Sequence, residues 1–285
     1  MQRLALLTLL LLQSSLYAQK TIFWEVKDPL GNHTSYLLGT YHQLGNSFVD
    51  SIPLIKEKLL SSEVAIFESV DAPKVRSYIL ERPDDYLYRK VLPKGQIKWL
   101  ESHAEETRLP LPKLTATELY FVLFQRYYQN FCGNVQPEDE WKHFDTYLMY
   151  VALENKIPCL GLESDSLQLN SIQESYGVND WKNMKKKLSY WINAHKGKVK
   201  EDKLCKFAYK YRSFNLDYKL DEPCVDEVMG KNRNDKWMKN LPMALKRESC
   251  FVAVGLAHLM YECGLISQLR DRGFTVEPIS LMPSS

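Results

Sequence analysis

The chain, 285 residues long, lacks the fingerprints of the common enzyme classes. It has no Gly-x-Ser-x-Gly elbow, which removes the ordinary serine site of an α/β-hydrolase. His-Glu-x-x-His, a Walker loop and Gly-x-Gly-x-x-Gly are also missing, and with them the usual zinc-protease, nucleotide and dinucleotide sites. None of the six cysteines is spaced as Cys-x-x-Cys, which disfavours a zinc knuckle and a thioredoxin-type redox site. An excess of one charge is absent too. Lys and Arg total 37 against 35 Asp and Glu, and their mixing along the chain argues against a nucleic-acid or membrane-surface partner. No low-complexity run occurs, and no long apolar stretch follows the first one, so no spanning helix is expected.

That first stretch has a meaning of its own. Arg3, the apolar run Leu4 to Leu12 and Leu16-Tyr17-Ala18 before Gln19 match the charged, apolar and small-residue regions of a secretory signal peptide. Residues 1–18 are therefore read as a leader, and the rest as a periplasmic or extracellular protein with no integral membrane segment after cleavage. What remains, about 265 residues, suffices for a sizeable core, and residues 19–285 are read as one continuous domain. All six cysteines, Cys132, Cys159, Cys205, Cys224, Cys250 and Cys263, fall in this exported part, where disulfides are permitted. Cys159 and Cys250 lie in strand-like runs and are expected in the core. Cys205 and Cys224 flank a polar segment and are the expected bridge.

The pattern along the chain is α/β at both ends and helical between. Thr21–Val26 and Thr34–Gly39 read as a hairpin across the turn-rich Asp28-Pro29-Leu30-Gly31-Asn32. A helix opens at Pro53, and Val64-Ala65-Ile66-Phe67 is a short strand, so the order strand, helix, strand implies a parallel crossover. Residues 72–155 and 166–246 are mostly helical, with Ile157–Gly161 strand-like between them, and Lys185 to Lys200 reads as a solvated basic face. Strand 250–254, a helix through Arg270, the C-capping Gly273 and a last strand Phe274–Ile279 close the chain.

Two phrases stand out. Gly39-Thr40-Tyr41-His42 and Gly255-Leu256-Ala257-His258 each place a histidine three residues past a glycine that ends a buried-strand run. In open α/β sheets ligands bind outside the carboxyl ends of the strands, so histidines distant in sequence can converge there. Histidine and carboxylate groups at strand ends suit a divalent ion, and His42, His258 and Glu68 are the candidates. Such an ion lowers the pKa of a bound water, giving a nucleophile toward an amide or ester, with a nearby carboxylate to carry the proton. Glu68 and Glu163 each have a second reading, as a carboxylate favoured at a helix N-terminus. His33, His103, His143 and His195 lack matching partners and are read as surface or structural.

These pieces resemble the TraB/PrgY/GumN family, which includes the animal Tiki proteases that act on Wnt. The matching residues are Leu38-Gly39-Thr40-Tyr41-His42, Val64-Ala65-Ile66-Phe67-Glu68, Gly161-Leu162-Glu163, Asn232-Arg233-Asn234 with Trp237, and Val254-Gly255-Leu256-Ala257-His258-Leu259 with Gly264-Leu265 and Gly273. The resemblance implies a fold like that of erythromycin esterase and ChaN-type proteins: a central, largely parallel or mixed sheet flanked by helices, with a helical insertion. It also implies a metal-dependent hydrolytic site of His42, Glu68 and His258. Arg233 and Asn234 match a family pair, and Arg233 is either a donor to a developing oxyanion or the partner of a strand-end carboxylate such as Glu163. The leading reading is thus an exported metallopeptidase using zinc, manganese or cobalt on a peptide or protein substrate. The alternatives are a peptide-sequestering protein without turnover and an esterase of a small molecule.

Overall fold

The computed structural model describes residues 20–70, 72–107, 109–176 and 180–281. The leader expected over residues 1–18 lies outside them. The strands are β1 (Phe23–Lys27), β2 (Thr34–Thr40), β3 (Val64–Phe67), β4 (Cys159–Gly161), β5 (Cys250–Gly255) and β6 (Thr275–Pro278). They form one mixed sheet in the order β4-β3-β5-β2-β1-β6. The strands β4, β3, β5 and β2 are mutually parallel, while β1 pairs antiparallel with β2 and with β6. β3 and β5 are buried throughout, as their unbroken apolar runs require of parallel strands covered on both faces. The expected hairpin, crossover helix (Pro53–Leu60) and closing strand–helix–strand all stand near their expected bounds.

The register sets the site. Phe67 lies level with Gly161 on one side and Ala253 on the other, and Thr40 lies level with Gly255. The four parallel strands therefore stop along one edge. The next residues out of them include Glu163, Glu68, His258 and His42.

Helices occupy the two long connections, from β3 to β4 and from β4 to β5. The longest, Ala116–Phe131, starts at a capping box in which Thr115 and Glu118 exchange side-chain and backbone bonds, and Arg82 bridges to Glu118 at 2.7 Å. It packs against helix Trp181–His195, which turns Trp181, Met184, Leu188, Trp191 and Ile192 inward and leaves Lys185, Lys186 and Lys187 exposed.

The disulfides correct the expected pairing. Cys205 bonds Cys132 and Cys224 bonds Cys263, so the polar segment between Cys205 and Cys224 is tied separately at each end. Cys250 is a free, buried thiol as expected, whereas Cys159 is only half-buried because β4 is an edge strand. Among the described residues no helix is long and apolar enough to cross a membrane.

Candidate metal centre

His42 is fixed from two sides. Asp145, in the first turn of helix Phe144–Glu154, takes its Nδ1 at 2.5 Å and accepts the Thr40 hydroxyl at 2.7 Å on its other oxygen. The amide of Phe144 also donates to the His42 carbonyl at 3.3 Å, which docks this helix against the end of β2. With Nδ1 on a carboxylate, the remaining nitrogen, Nε2, faces Glu68 Oε1 at 4.0 Å. This carboxylate–imidazole arrangement commonly orients metal-binding histidines. Burial opposes protonation of His42, but the charge and hydrogen bond of Asp145 prevail and raise its pKa to about 9.

His143, read from the sequence as structural, belongs to this cluster. It precedes the same helix, and its ring stacks on His42 with centroids 5.3 Å apart. Although 41% of the side chain is exposed, loss of solvent around the ring and then the charge of His42 hold its pKa down to about 4. His42, His143 and Asp145 form a group that could hold a metal ion, with one ligand atom of each within 4.8 Å of the others. The available sequence signal was His143-Phe144-Asp145, a histidine two residues before an acid at a helix start, with no glycine to mark it.

The second histidine is held differently. Asn234 donates its amide nitrogen to the carbonyls of His258 (3.1 Å) and Cys263 (2.8 Å), which leaves its oxygen to accept from His258 Nδ1 at 2.7 Å. The proton therefore sits on Nδ1, and Nε2 presents a lone pair. Arg233 fills that position, its Nη1 donating to Nε2 at 2.9 Å. Burial first, then the Arg233 charge, push His258 down to about 3. Trp237 covers the ring with centroids 4.3 Å apart.

Glu68 joins the two halves. Its Oε1 accepts the Gly255 amide at 2.7 Å and lies 3.7 Å from His258 Nε2, while Oε2 accepts from Arg233 (2.6 Å) and Gln168 (2.9 Å). Burial opposes its ionisation, yet Arg233 and the Gly255 amide outweigh it and hold the carboxyl well below the usual range. Gly255 makes this approach possible. A Cβ there would lie 3.0 Å from Glu68 Oε1 and 3.3 Å from His42 Nε2.

Arg233 also donates to Glu163 through Nε at 2.9 Å and Nη2 at 2.5 Å. The structure thus places it as the partner of strand-end carboxylates. Glu68 and Glu163 are both ion-paired to Arg233. The expected residues His42, Glu68, His258 and Arg233 all meet at one edge of the sheet.

The cluster floors a cavity of about 740 Å³. Its walls, supplied by the helical connections, include Leu109, Leu114, Phe121, Val122, Met149 and Ile172. Imidazole nitrogens and carboxylate oxygens meeting in one small space suit a first-row dication.

The fold and the site define an α/β protein with a histidine–carboxylate centre at the carboxyl edge of a mixed sheet. The chain belongs to the TraB/PrgY/gumN family, whose profile matches residues 22–278. Neither the curated proteins nor the solved structures compared with it give a significant match.

Proposed function

We propose that this chain is an exported metal-dependent hydrolase that cleaves peptide or protein substrates. The observation that supports this most is His42, locked by Asp145 so that Nε2 faces Glu68 Oε1 on the floor of an apolar-walled cavity. His42, His143 and Asp145 would hold one divalent ion, zinc, manganese or cobalt, beside the fixed anion Glu68. When bound, the ion supplies a polarised carbonyl and an acidified water.

The protein groups divide the remaining work. Asp145 fixes the ring and tautomer of His42. Glu68, its carboxyl held well below the usual range, serves as a fixed negative charge beside the ion. His258, with both ring nitrogens engaged, aligns Arg233, and Arg233 in turn aligns Glu68. The apolar walls seat substrate side chains and exclude water from the floor. Two disulfides in the protein fit an oxidising compartment, in keeping with export.

The test is metal-stimulated cleavage of a mixed peptide library with zinc, manganese and cobalt. His42→Ala and His143→Ala should each abolish turnover, and unchanged turnover in either variant overturns the reading. Peptide binding without cleavage under all three ions would establish a sequestering protein instead.

A further inference from the structure

The contacts of Arg233 are those a cation would choose. Its guanidinium touches Glu68 Oε2 at 2.6 Å, Glu163 Oε1 at 2.5 and 2.9 Å and the lone-pair nitrogen of His258 at 2.9 Å, with the Met229 carbonyl at 3.4 Å. Two carboxylate oxygens and an imidazole nitrogen with its lone pair bare form a donor set suited to a first-row dication. All four side chains are nine-tenths or more buried. His258 is held in the ligating tautomer by Asn234, independently of Arg233.

Glu68 divides this place from the neighbouring one. Its Oε2 points into the guanidinium, whereas Oε1, on the Gly255 amide, lies 3.7 Å from His258 Nε2 and 4.0 Å from His42 Nε2 and so reaches the His42 side. A carboxylate with one oxygen toward each of two cation positions is the usual bridge of two-metal hydrolytic sites.

We infer that Arg233 is a built-in cation filling the second of two adjacent metal positions bridged by Glu68, so that its removal opens a site for one additional ion.

The inference rests on the metal reading above for the first ion only. The experiment counts ions by mass spectrometry and by calorimetric titration, in purified full-length protein loaded with manganese or zinc and then desalted. Arg233→Ala should bind one more equivalent than the native protein. That equivalent should disappear in Arg233→Ala/Glu163→Gln and Arg233→Ala/His258→Ala, and Arg233→Lys should not gain it.

Should Arg233→Ala fail to fold, His258→Ala and Glu163→Gln in the native background remain informative. Both should keep the native stoichiometry, because the donors they remove hold Arg233 and no ion. Loss of the native ion in either variant, or an Arg233→Ala protein that gains nothing, overturns the inference. A native protein that binds no ion, with an Arg233→Ala variant that binds one, would sink the metal reading of the function and leave this inference standing.

Discussion

Replacing Arg233 with Met keeps the aliphatic stem and removes the charge, leaving Glu68 and Glu163 buried without their cation. Breaking a buried ion pair from one side costs about 3–5 kcal/mol. His258, 3.7 Å from Glu68 Oε1, gives little relief, because burial is the first cause that keeps its ring neutral and it persists without Arg233. Glu163 keeps the Trp237 indole at 3.3 Å on its other oxygen. Urea unfolding in the presence of a chelator should therefore show a loss of about 3–5 kcal/mol at pH 7, and a smaller loss at pH 5, where a buried carboxylate stripped of its cation is more easily neutralised. In a thermal scan this corresponds to roughly 10 °C at pH 7. A loss under about 1 kcal/mol at pH 7, or one equal at both pH values, would refute the reasoning.

Other expectations follow from the same contacts. Gly255→Ala forces a methyl between Glu68 and His42, and cleavage should fall on the order of a hundredfold while far-UV circular dichroism stays native. Stability without metal should peak near pH 6.5. The His42 pKa of about 9 exceeds its unfolded value, so its contribution is complete below pH 6.5 and lost by about pH 9. His143 and His258, at about 4 and about 3, resist protonation when folded, so stability falls as pH drops below 6.5. Chelated His42→Gln should lose the alkaline arm in a melting-temperature series, and an unchanged arm would contradict the assignment. Replacing Cys224 and Cys263 by serine should cost about 2–4 kcal/mol of unfolding free energy. It should also lower activity, because the Cys263 carbonyl anchors Asn234 and thereby His258.

Much of this site is legible in the sequence because strand ends are punctuated. A parallel strand is a short apolar run, a glycine marks the end of β2, β4 and β5, and the residues beyond the strands share one edge of the sheet. That logic brings His42, Glu68, Glu163 and His258 together from positions spread across the chain. It says nothing of His143 and Asp145, which arrive on a helix whose docking depends on the tertiary bond from the Phe144 amide to the His42 carbonyl. Nor does it separate the two readings of Arg233, since only packing shows that its guanidinium meets Glu163, Glu68 and His258 together. The disulfides were out of reach for a related reason. Cys132 and Cys205 lie 73 residues apart and meet because two helices of the insertion pack side by side, a fact that local polarity does not encode.

The most direct measurement is the metal content of the purified protein after loading with zinc, manganese or cobalt and desalting, in native, His42→Ala and His143→Ala forms. One ion per native chain, lost in both variants, is the predicted result. A native chain that stays metal-free, or a His42→Ala protein that keeps its ion, would contradict a metal centre built on His42.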